Sequence, residues 1–334
     1  MKLSYSKGNE WLKILLYSII SAYIVYQQAS NADAITVDEQ IMRHQRLLDG
    51  NSEFFNPWQY RVFSTYFSEA FANTVQYVIP SMGKGTAFLG LRFIQNIAIF
   101  LLAGVYFRRL GIENPWLRLT GNLIMGFCMA HSTFASDLSI NTYFDITFYL
   151  IAALLILKGK YFWTIPLMLV AALNRETSAL IPAMLIIPAI NWKERLIDRK
   201  RFWSGVAAGG IFVVVFFSVR AYYGYREAMG INDMTNVMEF LIYNLKFKRM
   251  YIHLIGTLGF LPIVVMLFLN KLSPTLRMYF WIVVPAWFVI HLCYSAAVES
   301  RLFLVPQALI FVPAFLQIVD RWYSERNPGL EVKS

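Results

Sequence analysis

The chain has 334 residues, of which 57% are apolar and only 15% charged. Soluble domains carry about a quarter charged residues, so the deficit and the long apolar runs exclude an ordinary soluble fold and point to a polytopic membrane protein. The net charge of +10 does not imply nucleic acid, because the basic residues recur between apolar segments, where topology and anionic lipid explain them.

A basic start precedes the first apolar segment, 11–28. No small-residue cleavage site follows it, so it reads as a retained helix with a cytoplasmic N-terminus. A polar loop runs from 30 to 85. Further spans are expected at 86–107, 117–132 and 142–157. Two shorter apolar pieces, 161–173 and 179–190, flank an Asn-Arg-Glu-Thr-Ser interruption, and a basic stretch follows at 193–201. The remaining spans are expected at 203–219, 251–269, 279–297 and 303–319. This is an all-α membrane bundle of about ten transmembrane helices, at ~20 residues each, forming a single integral domain over 1–334.

Lys and Arg favour one side of this bundle, which puts both termini inside and the 30–85 loop outside. The bias holds only if the two short pieces around Asn174 form an out-and-back hairpin. Two outer segments have helical amphipathic spacing. In one, Val62, Phe63, Tyr66, Phe67, Ala70, Phe71 and Val75 oppose Arg61, Ser64, Ser68 and Glu69. In the other, Met234, Val237, Met238, Leu241, Ile242 and Leu245 oppose Asn236, Glu239, Asn244 and Lys246. Both fit helices lying on the membrane or loop helices packed on the spans. Gly205 and Gly209 form a small-xxx-small pair suited to close helix packing. Cys128 and Cys293 sit in apolar spans as packing residues, and His253 and His291 lie in spans without an evident partner.

The remaining charges gather on the outer side: Asp33, Asp38, Glu39, Asp137, Asn174-Arg175-Glu176 and Glu299-Ser300-Arg301. The adjacent carboxylates Asp38 and Glu39 suit a general base or a divalent cation such as Mg or Mn; they equally suit a helix N-terminus. No complete metal ligand set is evident. Charges at 174–176 are costly in an apolar stretch unless they face a cavity or each other. Arg175 and Arg301 are candidates for phosphate, or for ion pairs that only hold structure; Arg61, at the start of the first amphipathic segment, joins them as a phosphate candidate. Asp145 lies one turn into its span and is a functional candidate by its place alone. Asn174, Glu176, Glu299 and His131, which ends the third span, are candidates to line the cavity. Asp137 reads better as a cap or a solvated turn.

An Asp-Glu pair in the first outer loop, then an apolar-basic helix, a Gly turn at Asp49-Gly50-Asn51 and Asn56-Pro57, resembles the GT-C glycosyltransferases. The likeness is to the protein-mannosyltransferase and aminoarabinose-transferase group, with topology matching over most of the chain and no C-terminal soluble domain. The resemblance implies a bundle with horizontal helices in the first outer loop, in a bacterial inner (cytoplasmic) membrane, with its active site facing outward. It further implies a polyprenyl-phosphate-linked sugar as donor and a lipid, glycan or protein as acceptor in cell-envelope glycan assembly. In that frame Asp38 is the base, with Asp33 or Glu39 as alternates, and Arg175, Arg301 and Arg61 bind the donor phosphate. The rival reading is a membrane transporter or lipid flippase, because a broken apolar segment is also a transporter feature.

Overall fold

The computed structural model describes residues 7–30, 37–50, 58–132, 138–191, 193–224 and 236–326. Its helices, in order, are α1 (Lys7–Ser30), α2 (Val37–Leu48), α3 (Val62–Val78), α4 (Lys84–Arg109), α5 (Pro115–His131), α6 (Ile140–Leu157), α7 (Thr164–Asn174), α8 (Leu180–Ala189), α9 (Arg199–Tyr223), α10 (Val237–Lys246), α11 (Lys248–Leu258), α12 (Leu261–Leu267) and α13 (Pro274–Tyr294). The last, α14 (Ser300–Arg326), is one run containing a π-helical stretch at Gln307–Phe311. A two-residue antiparallel pair, β1 (Ile190–Asn191) and β2 (Leu196–Ile197), joins α8 to α9.

Local chemistry sets the helix starts. Asn114 accepts from Trp116 N and Leu117 N ahead of Pro115 in α5, and Asp198 accepts from Arg201 N in α9. Asn236 and Glu239 close a capping box on α10. Each satisfies backbone donors that the first turn leaves open.

Among the described residues, five helices are long and apolar enough to cross a membrane: α4, α6, α9, α13 and α14. A sixth exists if α11 and α12 count as one span, although they meet at 74°. This marks a membrane protein, but the expectation of about ten full spans is not met. The helix α5 has 17 residues, and α7 and α8 have 11 and 10, all short of the ~20 that a bilayer asks for. The expected 251–269 span breaks because Gly259 takes a left-handed φ of 58° and Pro262 begins a new helix two residues into its first turn.

The centre of the bundle is α6 with α14. The most apolar window of α14 is 89% buried, against 17% for α9, which lies at the edge on α7 and α8. The short pieces α7 and α8 form the expected out-and-back pair. The Tyr161 ring and the Met184 carbonyl both meet Arg201, at the start of α9. The turn between them meets α9 at its other end, where Glu176 pairs with Arg220 at 3.2 Å.

Helices form at both amphipathic segments, as α3 and α10, each with part of its apolar stripe exposed and part packed on the bundle; Met234 lies outside the described residues. In α3 the buried residues are Ser64, Thr65, Ser68, Glu69 and Ala72, while Tyr66, Phe67, Tyr77 and Val78 are exposed. In α10 Asn244 is buried: its amide donates to Leu292 O and Ser295 O, both at 2.8 Å, and its carbonyl oxygen accepts from Ala297 N. The sides carrying Met238, Ile242 and Leu245 are exposed.

Candidate functional site

The site is built where the turn between α7 and α8 meets the start of α6, the end of α13 and the start of α14. Arg175 sits in the turn in extended backbone, φ −164° and ψ 145°, and is buried. Its Nη1 lies 3.7 Å from Asp145 Oδ2 and 3.4 Å from Thr142 Oγ1, both on α6. Thr177 donates to the same Asp145 oxygen at 2.8 Å. From α13, His291 donates through Nδ1 to the Trp287 carbonyl at 2.8 Å, which leaves Nε2 to accept from Arg175 Nη2 at 3.5 Å. Tyr149 bonds the Thr177 carbonyl and stacks edge-on against Trp287.

Arg301 enters from α14. It holds Glu299 Oε2 through Nε at 3.0 Å and Nη2 at 2.6 Å, and donates through Nη1 to the Ser139 hydroxyl. Ser139 has a left-handed φ of 55°, a conformation that non-glycine residues rarely hold without support from their surroundings. Arg61 stacks on Trp58 with its guanidinium carbon 4.6 Å from the ring centre, and that of Arg43 lies 4.4 Å from the same centre. Arg175 and Arg301 thus both meet the start of α6, at Thr142 and Ser139, and Arg61 lines a small cavity together with Asn141 of the same segment.

The region around the start of α6 has unmet polar demand. Asp145 Oδ1, Asn141 Nδ2 and Asn174 Oδ1 are buried and make no hydrogen bond among the described residues. Each such atom costs about 1–3 kcal/mol if left unmet. Beside it is a cavity of about 10 Å³, enough for one water, lined by Gln40, Arg43, His44, Trp58, Arg61, Ser64, Thr65, Ile140 and Asn141.

The other predicted residues fall as follows. Asn174 donates to the Asn141 carbonyl at 2.9 Å and so joins the cluster. Glu176 is drawn away by Arg220, and Glu299 serves Arg301. Asp38 is exposed in the first turn of α2, and Glu39 pairs with Arg43 at 3.1 Å. His131 is exposed against Phe127, at 4.3 Å between ring centres, and is not brought in. Asp33 and Asp137 lie outside the described residues. Among the described residues no group of three His, Cys, Asp or Glu side chains is arranged to hold a metal ion.

Two features were missed in the sequence. Arg92 is fully buried in α4, bonding Gln28 Oε1 at 3.1 Å and Gln95 Oε1 at 3.5 Å, while Gln28 donates to the Tyr143 hydroxyl at 2.6 Å. A charge inside an apolar span was signal enough to single it out. The second is a chain of side chains linking α2, α3 and α4. Gln40 Nε2 donates to His44 Nε2 at 2.6 Å, His44 Nδ1 meets Glu69 Oε1 at 2.9 Å, and Glu69 Oε2 meets Lys84 Nζ at 2.6 Å. Burial pushes the Glu69 carboxyl up, but the hydrogen bonds and charges of His44 and Lys84 outweigh it and hold the carboxyl below its ordinary range. No protein-family model matches the chain, and neither a curated protein nor a solved structure matches it.

Proposed function

We propose that the protein is an integral membrane glycosyltransferase of GT-C type, taking a sugar from a polyprenyl-phosphate-linked donor on the outer face of a bacterial inner membrane. The observation that carries this reading is that buried Arg175 and Arg301 both meet the start of α6, where Arg61 lines the adjoining cavity with Asn141 and where Asp145, Asn141 and Asn174 have atoms with unmet polar demand. A planar guanidinium can hold a phosphate through two parallel charge-assisted hydrogen bonds. In the reaction the hydroxyl of a lipid, glycan or protein acceptor attacks the anomeric carbon. The bond from that carbon to the phosphate oxygen breaks, and polyprenyl phosphate leaves with the electron pair, neutralised by the arginines. The hydroxyl proton passes to a base in the outer loop, where Asp38 is the sequence candidate, with Asp33 and Glu39 as alternates. A divalent cation is not required by this scheme.

The test is reconstitution of the full chain in lipid vesicles with polyprenyl-phosphate hexoses and pentoses radiolabelled in the sugar and an alkyl glycoside as acceptor. The expected result is a labelled glycosylated product together with released polyprenyl phosphate. The rival, a transporter or lipid flippase, draws on the broken α7–α8 pair and the 74° bend between α11 and α12. It predicts movement of the labelled lipid between leaflets with no new covalent product.

A further inference from the structure

The Gln40–His44–Glu69–Lys84 chain does more than join three helices. His44 and Glu69 are both buried, and they come from different elements, 25 residues apart in sequence. A carboxylate facing Nδ1 holds the ring proton there and leaves Nε2 as the basic nitrogen. That nitrogen meets Gln40, and both His44 and Gln40 line the small cavity. Arg61 and Asn141 line the same cavity. The Asn141 carbonyl accepts from Asn174, the neighbour of Arg175 in the turn. The imidazole and the arginine cluster thus border one another, while exposed Asp38 is not among the cavity-lining residues.

We infer that His44, oriented by Glu69, is the proton acceptor for the incoming hydroxyl, and that Glu69 is its positioning residue. This rests on the transferase reading. As the acceptor oxygen forms its bond to the anomeric carbon, its proton moves to His44 Nε2, and the carbon–oxygen bond to the phosphate breaks with the electron pair going to the phosphate. The resulting imidazolium lies between the Glu69 carboxylate and Gln40, and returns its proton to water after product leaves. Gln40 is suited to both states. Its amide nitrogen now donates to neutral His44, while its Oε1 is buried with no hydrogen bond among the described residues. Turning the amide over gives that oxygen to the new Nε2–H. The charged groups around the imidazole are Glu69 from α3, Lys84 from α4 through Glu69, Arg43 on α2 and Arg61 ahead of α3; Phe88 of α4 packs its ring edge-on at 5.0 Å.

Two measurements test this. In vesicles of the full chain, supplied with the same panel of radiolabelled polyprenyl-phosphate hexoses and pentoses and the alkyl glycoside, His44→Asn is expected to lower kcat by about 100-fold or more, with the donor KM little changed. Glu69→Gln is expected to lower kcat less and to displace the pH–rate profile, which a merely structural role leaves in place. Normal kcat in His44→Asn, with loss of turnover in Asp38→Asn, assigns the base to Asp38 and overturns the inference while leaving the transferase reading intact. Absence of product with every donor in the native chain overturns the transferase reading and this role with it. The second measurement needs no activity: nitrogen-15 spectra of labelled histidines, with the His44 signal identified by its absence in His44→Asn. The expected signal is a single tautomer protonated at Nδ1 that becomes mixed in Glu69→Gln. A mixture of tautomers in the native chain contradicts the orienting contact even if turnover is found.

Discussion

Replacing Arg175 by Met keeps most of the aliphatic stem and removes the guanidinium, so it isolates the buried Asp145–Arg175 contact. At 3.7 Å, with the effective dielectric that fits such pairs, the attraction is about 4 kcal/mol. Most of that offsets the cost of burying two charges, but the cost stays when one partner is removed. In Arg175→Met the Asp145 carboxylate keeps only the Thr177 hydroxyl at 2.8 Å. The Thr142 and His291 contacts that vanish with the guanidinium are long, at 3.4 and 3.5 Å, and contribute little. The expected loss is about 3–5 kcal/mol, the usual result of orphaning a buried charge. Asp145→Asn orphans the guanidinium instead and loses a similar amount. The double variant carries neither charge, so it regains about 2–3 kcal/mol over the sum of the two losses. Chemical denaturation of the full chain in mild detergent, followed by tryptophan fluorescence, gives the four stabilities of the cycle. The double variant is expected to regain stability without regaining donor turnover. Losses that add to within about 0.5 kcal/mol refute a direct coupling, and with it the picture of Arg175 as held in place by Asp145.

Arg175→Ala and Arg301→Ala are each expected to weaken donor use far more than acceptor use, with Lys rescuing only in part and the two losses combining non-additively; donor-dependence kinetics in a double-mutant cycle check this. Gly205→Ala places a Cβ 2.7 Å from Ile186 Cγ1 and 2.9 Å from Leu185 Cβ, whereas at Gly209 the nearest atom is 3.7 Å away. The first change should destabilise by about 1–3 kcal/mol and the second should be tolerated, as denaturation midpoints will reveal. The Glu69 carboxyl is held below its ordinary 4.5 in the folded chain. Its stabilising contribution is therefore complete above 4.5 and disappears as pH falls through the lower folded value. The difference in stability between the native chain and Glu69→Gln, measured across that acid range, should shrink accordingly. Cysteines introduced at positions 51 and 200 should label from outside and from inside respectively; outside labelling at 200 overturns the topology.

Much of the helical order was legible because apolar runs and punctuation act locally. The break at 174–176 and the helices α3 and α10 follow from neighbouring residues. The hairpin of α7 and α8 was legible only through topology, because charge bias demanded it, and the Arg201 and Arg220 contacts meet that demand. The bend at Gly259 had a local cue too, a glycine three residues ahead of Pro262, but the apolar run on both sides hid it. The amphipathic stripes left open which face of each helix meets the bundle. Contacts far along the chain decide it: Asn244 is turned inward to donate to Leu292 O and Ser295 O.

The site divides along the same line. Arg175, Asn174, Asp145, Arg301 and Glu299 stood out because each is a charged or polar residue in an apolar setting, where the cost of burial demands a partner. That criterion works on single residues and needs no knowledge of contacts. It also applies to Arg92, which was passed over because the apolar span around it was read only for length. The His44–Glu69 pair had no such signature, since both residues lie in a polar loop where charge is unremarkable. Their meaning comes from α2 and α3 folding against α4, which turns an ordinary histidine into one with a carboxylate behind it and a cavity before it. The Asp38-Glu39 pair shows the converse. Two adjacent residues on a helix point about 100° apart, so their adjacency in sequence did not deliver a joint site. One is exposed, and the other is paired with Arg43 one turn on.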